Sequence, residues 1–171
     1  MNVLREQKSR AQSPVVLMLL ALVLLQASAP AAAQSTKEGE DDVTHSMTIV
    51  DRVMKMGDDH TAIFRELIGV SRNDKGSGMF HNMGIRCWGY IDIVDKKPSS
   101  SGRCVEMDAD GDQIFHTFEN KAGVGAHVLV GGTGKYKGIS GEQAFSAVTL
   151  VKGPEGVSVL VIPLKARWKL P

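Results

Sequence analysis

The sequence predicts an all-β protein with antiparallel strands, arranged as a sandwich or a barrel, and three observations carry this prediction. From about Val43 onward, short runs of Val, Ile, Thr and aromatic residues recur. Glycine-rich turn clusters separate these runs at fairly even spacing. The last run alternates between apolar and polar positions. Short strands separated by regularly spaced turns are typical of antiparallel all-β folds.

The final strand has the clearest pattern. Even positions from Leu160 to Leu170 are apolar, whereas Lys165, Arg167 and Lys169 occupy odd positions. Because successive side chains of a strand point to opposite faces, this segment is predicted to have one buried and one solvated face. The turn residues at 152–156 (KGPEG) predict a hairpin between residues 144–151 and 157–170.

Residues 79–94 also fit a strand. One parity carries Met83, Ile85, Cys87, Ile91 and Ile93, and the other carries Asn82, Arg86, Trp88, Tyr90 and Asp92. Residues 60–71 are ambiguous, because Asp58 and Asp59 can cap a helix with an apolar face, although a strand fits equally well. The local pattern alone slightly favours the helix.

The N-terminus predicts export. Three basic residues precede an apolar run from Val15 to Leu25, and small residues ending at Ala33 follow it. This order is typical of a secretory signal peptide over residues 1–33, with the mature chain beginning at Gln34. Since a membrane-spanning helix needs about 20 apolar residues, no stable membrane insertion is expected after cleavage. We therefore expect a periplasmic or secreted protein.

The remaining chain is expected to comprise a flexible polar lead-in at residues 34–42 and one domain at residues 43–171. Without residues 1–33, 17 Lys and Arg stand against 18 Asp and Glu. A near-neutral chain has no general attraction to nucleic acid, so no nucleic-acid partner is expected.

The segment 130–141 (VGGTGKYKGISG) contains closely spaced glycines around one aromatic residue. It resembles a hairpin motif of dirigent proteins and allene oxide cyclases. Its glycines suit a tight corner, and the aromatic residue can plug the barrel end. The motif residues are Gly131, Gly132, Gly134, Tyr136, Gly138 and Gly141.

This resemblance implies a closed antiparallel barrel, typically of eight strands and often a trimer. A looser likeness to bacterial members around residues 56–78 favours a strand over residues 60–71. The resemblance does not carry an activity, because the acidic and polar residues of the plant enzymes have no position-by-position match here.

Apparent cofactor and metal motifs fail on their spacing. Around Gly134-Lys135, Leu129 and Tyr136 stand where a phosphate loop needs Gly and Ser or Thr. Around Asp108–Asp112, Gln113 stands where a calcium hand needs Gly. We therefore expect no metal and no cofactor.

Histidine and aromatic residues are the candidates for a ligand pocket. His81 and His116 share parity with apolar neighbours, which favours core histidines but also suits acid–base groups inside a cavity. Arg86, Trp88 and Tyr90 complete the candidate set.

Cys87 and Cys104 are predicted to form a disulfide, because two cysteines in an exported chain form an even set in an oxidising compartment. The bond requires a tight turn near Asp95-Lys96 or a bulge at 108–112. A simple hairpin around residues 98–101 would instead place His81 opposite His116. The two registers exclude each other.

Three functions fit these observations. The preferred hypothesis is a barrel that binds a small apolar or aromatic molecule. The alternatives are an isomerase or cyclase of the allene oxide cyclase type, and a structural or self-assembling protein with a filled barrel. The last would contact a partner through the exposed face that carries Asn82, Arg86, Trp88 and Tyr90.

Overall fold

The computed structural model describes residues 37–154 and 157–171. The predicted signal peptide and the predicted start at Gln34 lie outside these residues. In the described part of the chain, no helix has the length and apolar character needed to cross a membrane. The strands are β1 (Lys37–Lys55), β2 (His60–Asn73), β3 (Met83–Val94), β4 (Lys97–Met107), β5 (Gln113–Lys121), β6 (Val124–Gly132), β7 (Ser140–Phe145), β8 (Thr149–Lys152) and β9 (Ser158–Leu170).

The strands close into a barrel. Neighbours in sequence pair antiparallel from β1 to β7, and β9 pairs with both β7 and β1. On the same edge of β9, β7 pairs with residues 165–169 and the short strand β8 pairs with residues 158–161. The result is a closed eight-stranded antiparallel barrel with one additional short strand, which confirms the predicted fold class.

Local predictions for three segments are confirmed. Residues 60–71 lie in strand β2. Thr149–Lys152 pair with Ser158–Val161, so the hairpin predicted between residues 144–151 and 157–170 forms over this part only, and residues 144–145 belong to β7. In β9, the even positions from Leu160 to Ala166 are buried, whereas Lys165 and Arg167 are exposed.

The expected flexible lead-in is wrong for residues 37–42, which form the beginning of β1 and pair with residues 165–170 of β9. The carboxylate of Asp42 lies 2.6 Å from Lys165 Nζ, and that of Glu40 lies 2.7 Å from Arg167 Nε. The acidic residues therefore match the basic outer face of β9, and opposite charges on adjacent strands favour pairing.

The register of β3 and β4 decides between the two cysteine hypotheses. Val94 pairs with Lys97, and Asp95 and Lys96 form a two-residue turn in which both have positive φ. This turn places Cys87 opposite Cys104, and the two form a disulfide. The predicted disulfide is confirmed. The alternative register is wrong, and His81 does not face His116, because β4 follows β3 after two residues rather than a longer loop.

The two ends of the barrel differ. At what we call the closed end, the segments at 74–82, 108–112 and 133–139 fold over the interior, and Phe80 is fully buried there. Tyr136 is 8% exposed, and its hydroxyl donates a hydrogen bond to Asp108 Oδ2. At the open end, β3–β4 and β5–β6 are joined by two-residue turns at 95–96 and 122–123.

The glycine motif shapes the closed end. Gly134 has a φ of +48°, and a Cβ there would lie 1.8 Å from Asp112 Oδ1. Lys135 Nζ lies 2.6 Å from Asp108 Oδ2 and 2.7 Å from Asp110 Oδ2. Lys135 therefore binds the acidic loop rather than a phosphate, and glycine allows the two loops to approach closely.

Candidate functional site: a cavity above a buried histidine–glutamate cluster

A cavity of about 270 Å³ occupies the open half of the barrel. Its wall is formed by inward-facing side chains of the strands and is largely apolar. The apolar residues include Met47, Ile63, Leu67, Ile91, Ile93, Phe118, Phe145, Val148, Leu160 and Ile162. Binding cavities for drug-sized molecules start at about 300 Å³, so this cavity suits a small guest.

Four polar side chains interrupt the apolar wall. Ser100, Asn120 and His127 line the cavity, and so does Arg65. Arg65 is already engaged, because its guanidinium donates two hydrogen bonds to Asp51, at 2.7 and 2.6 Å. A few polar groups in an apolar cavity are typical of sites that orient a ligand.

His127 connects the cavity to a polar cluster deeper in the barrel. The imidazole is 3% exposed and stacks against that of His116, with ring centroids 4.8 Å apart. Its further ring neighbours include His45, Phe118 and Phe145, with centroids at 5.3, 5.6 and 5.5 Å. His127 Nδ1 has no hydrogen-bond partner among the described residues. Because His127 also lines the cavity, it is the cluster member that a bound guest would contact.

Glu106 is the centre of this cluster and is fully buried. His45 Nε2 lies 3.3 Å from its Oε1, and His116 Nε2 lies 3.2 Å from the same atom. Gln143 Nε2 donates a hydrogen bond of 3.4 Å to this oxygen. Because a buried carboxylate is unfavourable unless partnered, these groups are what allow Glu106 to lie inside the barrel.

The cluster shifts the pKa values of two of its members. Burial opposes ionisation of Glu106, but the neighbouring His45 and His116 outweigh burial and hold the pKa of Glu106 well below its usual range. Burial, together with the charges of His116 and His45, lowers the pKa of His127 well below 6.5. At neutral pH, the imidazole of His127 is therefore neutral, and Glu106 in the same cluster is a carboxylate.

The disulfide lies beside the cluster. Cys87 and Cys104 are 1% and 3% exposed, and Cys87 contributes to the cavity wall. Ligating atoms of Cys104, His116 and His127 all lie within 4.8 Å of one another. A disulfide sulfur is a poor metal ligand compared with a thiolate, so these residues do not form a metal site while the bond is intact.

The predicted pocket residues lie in three different places. His116 belongs to the buried cluster behind His127. His81 lies in the segment that leads to β3 at the closed end, and its Nδ1 is 3.3 Å from the carbonyl oxygen of Asn73. Arg86, Trp88 and Tyr90 lie on the outer face of β3, where Trp88 is 54% exposed. Of the five, only His116 lies in the barrel interior near the cavity.

The outer residues form a surface feature of their own. Glu66 accepts hydrogen bonds from Arg86 Nε and Trp88 Nε1, and Phe64 packs beside Trp88. Exposed apolar side chains continue over the neighbouring strands. They include Val50, Phe64, Ile68, Val70 and Val105.

Sequence reasoning did not single out His45, Glu106, His127 and Gln143. These residues come from β1, β4, β6 and β7, so nothing in their spacing marks them as a group. The available signal was the alternation of inward and outward positions along each strand. His45 shares parity with Val43 and Met47, and both of these are buried.

The molecule is therefore a closed β-barrel with an apolar cavity that ends on a buried histidine–glutamate cluster. A search of solved structures finds similarity to a pterocarpan synthase dirigent protein, with 12% identity, a TM-score of 0.49, and coverage of 83% of this chain and 98% of that one. It also finds pyocyanin demethylase, with 15% identity, a TM-score of 0.40, and coverage of 75% and 98%. No family model and no curated protein matches the chain. At these values neither similarity bears on the activity of this chain.

Proposed function

We propose that the protein binds a small, mainly apolar or aromatic molecule in the open half of the barrel. The single observation that carries this proposal is the cavity of about 270 Å³, with apolar walls and His127 at its inner end. The apolar wall favours a hydrophobic body. His127, Ser100 and Asn120 favour a guest with one or two polar atoms.

Binding of 1-naphthol, an apolar bicycle with one hydroxyl group, tests this proposal by isothermal titration calorimetry. Ile93 lines the cavity, and Val94 beside it is exposed. We expect Ile93→Trp to fill the cavity and weaken binding at least tenfold, whereas Val94→Trp leaves it unchanged. Equal binding by both variants would place the ligand elsewhere, and no binding by the unaltered protein up to millimolar concentration would contradict the proposal.

A second candidate function is an isomerase or cyclase, and the neutral imidazole of His127 favours it. A neutral histidine in a cavity can accept a proton from a bound carbon acid and return it at another position. The Glu106 carboxylate would offset part of the unfavourable effect that burial and the charges of His116 and His45 have on the imidazolium formed in between.

Hydrogen–deuterium exchange of 2-tetralone in D₂O tests this second candidate. This ketone is apolar and bicyclic, and its acidic C–H groups exchange through an enolate. We expect exchange above the rate in buffer for the unaltered protein, and loss of at least tenfold in His127→Phe. A rate that does not depend on residue 127 would leave binding alone as the function.

A third candidate is contact with a partner or assembly into a homotrimer. The exposed apolar side chains on β1, β2 and β3, including Phe64 and Trp88, favour it, because contiguous apolar surface is typical of interfaces. Sedimentation velocity of the unaltered protein tests it. A monomer at all concentrations would remove the trimer.

We also propose that the protein is exported. The Cys87–Cys104 disulfide supports this, because such bonds persist in oxidising compartments. N-terminal sequencing of protein from its own host tests the proposal, with Gln34 as the expected first residue. A chain that retains Met1 would contradict it.

A further inference from the structure

Four inward-facing side chains on four consecutive strands meet at the inner end of the cavity. Cys87 lies on β3, Cys104 on β4, His116 on β5 and His127 on β6. Cys87 pairs directly with Cys104, and Cys104 pairs directly with His116. All four side chains are at least nine-tenths buried.

Two observations point to a ligand at this place. The ligating atoms of Cys104, His116 and His127 already lie within 4.8 Å of one another, and Cys87 Sγ is bonded to Cys104 Sγ. Moreover, His116 Nδ1 and His127 Nδ1 are buried without a hydrogen-bond partner among the described residues. Buried polar atoms without partners are rare in proteins, because each has lost the hydrogen bonds that it would make with water.

We propose that reduction of the Cys87–Cys104 disulfide converts this cluster into a Zn²⁺ site with two thiolate and two imidazole ligands. Two cysteines and two histidines are a common donor set of tetrahedral zinc sites. The proposal is independent of the proposed ligand binding and adds a second function at the inner end of the same barrel.

The balance of the reaction is simple. A dithiol reductant supplies two electrons and two protons, its own sulfurs become a disulfide, and the Cys87–Cys104 bond becomes two thiols. Zn²⁺ then displaces the two thiol protons and any proton on the ligating imidazole nitrogens, and all of these are released to solvent. Oxidation of the two thiolates would reverse the process and release the metal.

Geometry and charge both favour such a site. With Zn–S of about 2.3 Å and Zn–N of about 2.0–2.1 Å, tetrahedral ligands lie roughly 3.3–3.8 Å apart, so the present cluster must contract by about 1 Å. Separation of the two sulfurs provides this freedom. One Zn²⁺ with two thiolates and two neutral imidazoles carries no net charge of its own, so it adds no further buried charge beside the Glu106 carboxylate.

A zinc-binding histidine usually donates the N–H of its other ring nitrogen to a carboxylate or a carbonyl oxygen, and Glu106 can accept it from His116. Glu106 Oε1 lies 3.2 Å from His116 Nε2, which leaves His116 Nδ1 for the metal. A carboxylate behind a metal-bound histidine orients the ring and increases its basicity as a ligand. The cluster therefore already contains one outer partner of the proposed site.

The test uses the full chain. It is reduced with a phosphine in denaturant and refolded without oxygen, with or without ZnCl₂. The phosphine takes oxygen from water and leaves two thiols. We expect one Zn²⁺ per reduced chain by mass spectrometry under native conditions, and none in the oxidised chain. Circular dichroism of the zinc-bound chain should match that of the oxidised barrel.

Variants distinguish the proposed site from thiols of an unfolded chain. His116→Gln and His127→Gln keep both cysteines and should each weaken zinc binding at least tenfold, whereas His81→Gln serves as the control and should bind normally. Two results would overturn the proposal. One is a reduced chain that binds no zinc or loses the barrel spectrum with zinc present, and the other is equal zinc affinity in all three variants. The 1-naphthol experiment uses only oxidised protein, so each proposal can fail without the other.

Discussion

The closed and open ends of the barrel are built from the same strands but are filled differently. At the closed end, longer loops place Phe80 and Tyr136 into the interior, and both are buried. At the open end, the turn residues Asp95, Lys96 and Ala122 are exposed, and Val148 from the connection between β7 and β8 is the loop residue that lines the cavity. A tight turn therefore leaves space in a barrel that a longer loop would occupy, and this difference creates the cavity.

The largest expected effect comes from Phe80, which is fully buried at the closed end. Phe80→Ala should lower the free energy of unfolding by about 3–5 kcal/mol, because it leaves a void in packed surroundings. Ile93→Ala, at the cavity wall, should lower it by less than about 2 kcal/mol, since that side chain is only partly buried. Urea denaturation of both variants measures the difference. Equal losses would contradict the contrast between the ends.

The disulfide between the two ends should contribute the next largest effect. It closes a separation of 17 residues, so Cys87→Ala/Cys104→Ala should lower the free energy of unfolding by about 3 kcal/mol, mainly through greater freedom of the unfolded chain. Cavity binding of 1-naphthol by the folded variant is the accompanying measurement. A loss below about 1 kcal/mol would argue against this role of the bond.

Acid should destabilise the inner cluster. The folded-state pKa of His127 lies below the ordinary 6.5, so the unfolded chain binds more protons as the pH falls below about 6.5. The free energy of unfolding should therefore decrease there, by up to about 1.4 kcal/mol per pH unit from this residue. Because the pKa of Glu106 is also lowered in the folded chain, the free energy of unfolding should decrease further below about pH 4.5.

Replacement of His127 isolates its part of the pH dependence. His127→Phe should flatten the stability profile between pH 5 and 6.5 and leave the steeper loss at lower pH, whereas His81→Gln should retain both parts. Urea midpoints across this range measure the profiles. An unchanged slope in His127→Phe would show that other groups control the acid response.

The smallest effect on stability is expected on the outer face. Trp88 is 54% exposed, so Trp88→Ser should change the free energy of unfolding by less than about 0.5 kcal/mol. If this face forms an interface, the same variant should nevertheless reduce the assembled fraction in sedimentation velocity. Val130→Ser, at a similarly exposed apolar residue on β6, is the matched control away from this face. An unaltered sedimentation profile for Trp88→Ser would exclude Trp88 from the interface.

Strand pattern was predictable because it depends on local alternation. Residues 160–170 reveal their inner and outer faces directly, and the turns of the glycine motif follow from residues that accept positive φ. The lead-in at 37–42 was not predictable, because its acidic residues pair with Lys165 and Arg167 more than 120 positions away in the chain. Composition alone cannot distinguish a solvated segment from one with a distant partner.

By itself, the sequence determined the all-β class and the inward positions of β3 and β9, because these follow from side-chain alternation, and it favoured pairing of the two cysteines because their number is even. Only the tertiary structure decided which residues form the site. His45, Glu106, His116 and His127 lie on four different strands and meet through the closure of the barrel and the β3–β4 register. Such a cluster depends on contacts between distant segments, and no local pattern encodes them.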